Sequence, residues 1–130
     1  MVEKSVVRTE GAPAPFQGAP YSQAIRVGDL VFVAGQVPVQ VGSAGVVGPG
    51  IEEQTEQVCE NLKAILEAAG SGWERVVKTT VFLVDLADFE AMNAVYARYV
   101  GAEPPARATV GIAALPAGAR VEIEAVAAVG

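Results

Sequence analysis

The stretch RVVKTTVFLVDLADFEAMNAVYARYV, Arg75–Val100, decides the fold. Arg75 to Val84 is β-branched and aromatic, and almost continuously apolar. That is the pattern of a central strand. At Asp85 the period changes. Phe89, Met92, Tyr96 and Tyr99 recur at helical spacing and predict a buried stripe, with Asp85 or Asp88 as the N-cap. Asn93 lies at the edge of that stripe.

The flanking segments follow the same logic. Upstream, Ile51–Gly70 reads as a helix with Val58, Leu62, Ile65, Leu66 and Ala69 on one face. Glu52, Glu53 and Glu56 crowd its first turns, where the helix dipole favours them, and Gly70 is a natural stop. Further back, Tyr21–Gly35 reads as a hairpin turning at Gly28-Asp29, with strands Ala24–Val27 and Leu30–Ala34. Val2–Arg8 is a short first strand, and the Gly/Pro-rich Glu10–Pro20 and Val41–Gly50 are loops. The second loop has neither GxGxxG nor GxxxxGK[ST] spacing, so it is no phosphate cradle by pattern. Downstream come strands Ala106–Val110 and Arg120–Val129. The order β-β-β-α-β-α-β-β predicts an α+β domain over residues 1–130, a mixed sheet of about six strands with two helices on one face.

Composition narrows the chemistry. The 130 residues are 52% hydrophobic and 18% charged, with net charge −6. A small domain this apolar predicts an oligomer. The nine basic residues are scattered singly, which argues against nucleic-acid binding. The single cysteine, Cys59, excludes an intrachain disulfide and reads as a half-buried thiol beside the helix stripe. With no histidine, Ser-His and Cys-His nucleophiles are excluded, and Zn, Cu and haem sites are disfavoured. No apolar leader or membrane span is evident, so the expectation is a soluble, cytoplasmic protein without membrane contact.

What remains is an arginine inside an apolar strand. In PPARATV, Pro104–Val110, Arg107 and Thr109 share a face. In RVEIEAVAAV, Glu122 and Glu124 share one too. If the last two strands formed a hairpin centred near Ala114-Leu115, Arg107 would lie opposite Glu122. One reading is an ordinary ion pair on a solvated sheet face, worth little. The other is a site: a guanidinium that grips a small carboxylate, beside a carboxylate that orients water.

In order, PYSQA (Pro20–Ala24), GDLVFVAGQVPV (Gly28–Val39), NLKAILEAAG (Asn61–Gly70), VVKTTVFLVDLADFEAMNAVY (Val76–Tyr96) and PPARATVGIAALPAGARVEIEAVA (Pro104–Ala127) resemble the RidA (YjgF) family of reactive-intermediate deaminases across nearly the whole chain. The resemblance implies a chorismate-mutase-like fold, assembled as a barrel-cored homotrimer with clefts between subunits. It implies hydrolysis of 2-imino acids or their enamine tautomers, such as 2-iminopropanoate and 2-iminobutanoate, to 2-oxo acids and ammonia, with no cofactor and no metal. By resemblance, Arg107 binds the substrate carboxylate and Glu122 positions water. Tyr21, Ala34, Gly35, Asn93 and Thr109 complete the substrate site. Two departures stand out. Ala34 replaces a serine common among the deaminases, and the approach to Tyr21, APAPFQGAP, is longer than the usual short IGP and contains Phe16. Two alternatives stay open: a non-catalytic trimer that binds small carboxylates or keto acids, and a deaminase for a different catabolic imine or enamine acid. The ribonuclease activity ascribed to some relatives is disfavoured by the net charge of −6 and the missing histidine.

Overall fold

The computed structural model describes residues 2–130. The elements are β1 (Lys4–Val7), β2 (Ala24–Val27), β3 (Leu30–Gln36), α1 (Ile51–Ala68), β4 (Val76–Leu83), α2 (Phe89–Val100), β5 (Ala106–Gly111) and β6 (Val121–Ala128), with short 3-10 turns at Trp73–Arg75 and Leu86–Asp88 and tight positive-φ turns at Phe16–Gly18 and Pro116–Gly118. The six strands form one sheet in the order β1-β2-β3-β6-β4-β5, and the predicted element order holds. Only β4 and β5 run parallel, because α2 carries the chain back over the sheet between them.

Alternation decides which face is covered. Val31, Val33, Thr79, Val81, Leu83, Val121, Ile123, Ala125 and Ala127 lie beneath the helices and are buried. They meet Val58, Leu62, Ile65 and Leu66 of α1 and Met92 and Tyr96 of α2 in one core. The other face carries no layer. Phe32 is 45% exposed and Val110 40%, with Val6 and Leu30 also open. No helix among the described residues is long and apolar enough to cross a membrane.

Helix ends follow local chemistry. Glu53 Oε1 accepts from the Gly50 N–H at 2.8 Å at the start of α1. At its end Gly70 sits at φ +82°, and the Ser71 N–H donates to the Leu66 carbonyl at 2.8 Å. Asp85 caps the turn Leu86–Asp88 by accepting from the Ala87 N–H at 2.9 Å. Asp88 is not a cap. Its carboxylate is nearly buried and takes two bonds from Arg120, at 3.2 Å from Nε and 2.7 Å from Nη2. Arg120 Nη1 also reaches the Pro49 carbonyl at 2.9 Å, tying the glycine-rich loop to the start of β6.

Two sequence expectations change. Phe89 is exposed and Tyr99 only half-buried, so the α2 stripe is Met92, Val95, Tyr96 and Val100. Cys59 is fully buried, which pushes its thiol up to about 12. The Asp88 lock carries a prediction. Arg120→Ala leaves a buried carboxylate unpaired and should cost about 2 kcal/mol in urea unfolding, discounted for the exposed Arg120 side chain. A loss below the measurement error would show the lock to be dispensable.

Candidate active site

The expected hairpin between the last two strands does not form. β4 stands between β5 and β6, so Arg107 pairs with Thr79 while Glu122 pairs with Phe82. Two strand spacings of about 4.8 Å and three residues of about 3.3 Å each put their Cα atoms roughly 14 Å apart. They also face opposite ways. Thr79 and Val81 are buried under the helices, so Arg107 and Thr109, their partners in register, face the helix side. Glu122 alternates with buried Val121 and Ile123, so it faces the open side. One chain therefore holds two half-sites.

The first half-site lies at the sheet edge under α2. The Arg107 guanidinium sits 4.9 Å from the Tyr96 ring centroid and 5.6 Å from that of Phe89. Tyr96 is fixed by a 2.7 Å hydrogen bond between its hydroxyl and Thr79 Oγ1 and by edge-on contact with Trp73. Burial raises the Tyr96 pKa, although the Thr79 bond and the Arg107 charge pull it down. Among the described residues, salt bridges engage Arg98 and Arg120 but not Arg107. Aromatic faces attract the cation without using its in-plane N–H donors, so the fork is available to a bidentate acceptor. Asn93, Pro104 and Pro105 share its cleft of ≈ 360 Å³. The Asn93 Oδ1 is buried there without a hydrogen-bond partner.

The second half-site lies on the open face. Glu122, Tyr21, Ala34, Gly35, Phe16 and Pro116 line a cleft of ≈ 520 Å³. Gly35 is there for space, because a Cβ would run into the Glu122 carboxylate. The Tyr21 hydroxyl accepts from the Phe16 N–H at 2.7 Å, which ties the ring to the preceding loop. Burial raises the Glu122 pKa, and the charge of Glu124 raises it further.

The structure thus groups Arg107, Asn93 and Thr109 on one side and Glu122, Tyr21, Ala34 and Gly35 on the other. Sequence reasoning missed the aromatic bracket of Arg107. The signal was present: Phe89, Asn93 and Tyr96 recur at the spacing of one helix face, yet the two rings read as core. It also missed Pro116 as a cleft wall.

A raised carboxylate pKa means the folded state holds the proton more tightly than the unfolded one. The charged form therefore destabilises the fold at neutral pH. Glu122→Gln should be more stable than the parent at pH 7, with the gain lost below about pH 4, where the acid is protonated in both states. Thermal unfolding across this range checks it; a destabilised variant at neutral pH contradicts it.

Four similarities bear on identity. The Endoribonuclease L-PSP family model matches residues 11–129. A RutC family protein of Pyrococcus horikoshii is 49% identical over 124 residues, covering 95% of this chain and 97% of its own. A mouse protein named 2-iminobutanoate/2-iminopropanoate deaminase is 44% identical over 127 residues, covering 98% and 93%. The crystal structure of RidA from an Antarctic Psychrobacter superposes with a TM-score of 0.90 at 42% identity, covering 96% of this chain and 99% of that one. The chain, with its mixed six-stranded sheet and paired helices, belongs to the Endoribonuclease L-PSP family, to which the YjgF and RidA proteins also belong.

Proposed function

We propose that the protein is a hydrolytic deaminase, converting 2-imino acids and their enamine tautomers, 2-iminopropanoate and 2-iminobutanoate among them, to 2-oxo acids and ammonia. It acts in the cytoplasm as a homotrimer, with each site built from two neighbouring copies. The observation that carries this reading is the split pair: an Arg107 bracketed by Tyr96 and Phe89 with no salt bridge among the described residues, and a partly buried Glu122 beside Gly35 on the opposite sheet face. Neither half is a site alone. The open sheet face carries Phe32, Leu30 and Val110, an apolar surface that a second copy would cover. Docking of that face near the β5 edge of another copy brings the halves together.

The chemistry follows from the groups available. Arg107 binds the substrate carboxylate through its fork, which sets the position of the adjacent imine carbon. Backbone groups of Gly35 and Thr109 complete the cradle, with Tyr21 and Asn93 at its walls. Glu122 of the neighbouring copy accepts a proton from water as the oxygen bonds to that carbon. Its raised pKa makes it a better base than an exposed carboxylate. The proton passes to nitrogen, giving a neutral carbinolamine. The C–N bond then breaks, nitrogen leaves as ammonia with a second proton from the hydroxyl, and the carbonyl forms. Imines are electrophilic enough that positioning and one base suffice, with no nucleophile from the protein.

The name of the mouse relative supports this substrate class. The family model carries the name of an endoribonuclease, but a net charge of −6 and scattered basic residues offer RNA no electrostatic footprint. The test is release of ammonia and 2-oxo acid from imines generated in situ by an amino-acid oxidase. Arg107→Ala should lower kcat/KM about 100-fold and Arg107→Lys about 10-fold, since lysine keeps the charge and loses the fork. Full turnover by a folded Arg107→Ala protein overturns the assignment. Thermal stabilisation by small keto acids without ammonia release selects a binding protein instead.

A further inference from the structure

The Glu122 cleft is flanked by two copies of one turn. Phe16-Gln17-Gly18-Ala19 closes with an Ala19 N–H to Phe16 carbonyl bond of 3.0 Å, and Pro116-Ala117-Gly118-Ala119 with an equivalent bond of 3.1 Å. Both central residues of each turn have positive φ: Gln17 54° and Gly18 68°, Ala117 59° and Gly118 67°. This is the type I′ pattern, and its first central position usually takes glycine, asparagine or aspartate. Gln17 and Ala117 are neither. Such backbone persists only where its surroundings hold it, and it gathers at ligand clamps. Here the two turns deliver Phe16 and Pro116 to the same cleft.

The walls are held in place. Gln23 is buried and brackets the approach loop, accepting from the Thr9 N–H at 2.7 Å and donating to the carbonyls of Ala12 at 3.2 Å and Pro13 at 2.9 Å. The Tyr21 hydroxyl is engaged by the Phe16 N–H, so it presents its ring more than its oxygen acceptor. Away from Glu122 the lining is Phe16, Ala19, Tyr21, Ala34 and Pro116, with Gln17 the other polar side chain. The cleft, ≈ 520 Å³ in the single chain, would be shared with a neighbouring copy in the assembled site, so the apolar character of its walls, more than its volume, bears on the choice of side chain.

We infer that this cleft selects 2-imino acids whose side chain is apolar and larger than ethyl, branched or aromatic, with Phe16 and Pro116 as the specificity-determining walls. The inference rests on the deaminase reading of the same site. A side chain on the imine carbon extends from the attack point over Glu122 toward the two turns, where burial against Phe16 and Pro116 favours added apolar atoms. Each methylene a pocket accommodates changes relative turnover by about 10-fold or more.

The test compares imines made in situ from alanine, 2-aminobutyrate, leucine and phenylalanine. In the parent, kcat/KM should be at least about 10-fold higher for the leucine- or phenylalanine-derived imine than for the alanine-derived one. The ratio, whatever the absolute rate, should fall about 10-fold in Phe16→Ala and by less in Phe16→Leu. Pro116→Ala supplies an independent wall should the loop variants fail to fold. An equal or faster rate with the alanine-derived imine, or ratios unmoved by all the folded variants, overturns this inference alone. No ammonia from any imine overturns the deaminase reading and this inference with it.

Discussion

The insertion of β4 between β5 and β6 governs the molecule. A parallel partner for β4 requires a crossover, and α2 supplies it. The chain then cannot close its last two strands into a hairpin. It must pass from one side of β4 to the other, and the register on each side sets which face every residue takes. Arg107 falls to the helix side and Glu122 to the open side. The separation of cation and carboxylate is thus a consequence of topology. A single chain with both groups on one face would quench the charge as an internal ion pair. This one leaves both uncompensated.

Arg120 and Arg107 show, by contrast, what that means physically. Arg120 is matched: a forked bond to Asp88 and a third to a carbonyl make it a rivet between the β6 start, the α2 entrance and the glycine-rich loop. Arg107 has rings in place of a carboxylate. Rings orient a guanidinium while leaving its hydrogen-bonding plane open. Glu122 is the converse, a partly buried carboxylate with another carboxylate for company and no cation. The unfavourable placement of Glu122 is a stability cost that a structural role alone does not explain.

Much of the fold was legible in the chain because it rests on local periodicity. The α1 stripe, the Gly70 stop, the turn at Gly28-Asp29 and the strand-to-helix change after Val84 are patterns of near neighbours. Strand order is not. Whether β5 lies beside β4 or β6 is decided by long-range pairing and by the length of α2, so a plausible register for Arg107 and Glu122 was wrong. Arg107, Thr109 and Glu122 were visible as polar side chains inside apolar strands, whereas Tyr21, Ala34, Gly35 and Asn93 entered the site through the family resemblance. Phe89 and Tyr96 were not visible as a bracket, since an aromatic at helical spacing looks the same whether it meets the core or a guanidinium. Nor does a glycine-rich loop betray a strained turn when glutamine or alanine occupies the glycine-favouring position, as at Gln17 and Ala117.

The central claim is that the working site needs Arg107 from one copy and Glu122 from another. Co-expressing Arg107→Ala and Glu122→Gln chains in equal amounts tests it most directly. Either variant alone should have little imine hydrolysis. In randomly mixed trimers an interface works only when its arginine comes from the Glu122→Gln chain and its glutamate from the Arg107→Ala chain, so about one quarter of parental activity should return. Activity no higher than that of the separate variants would contradict a site shared between copies.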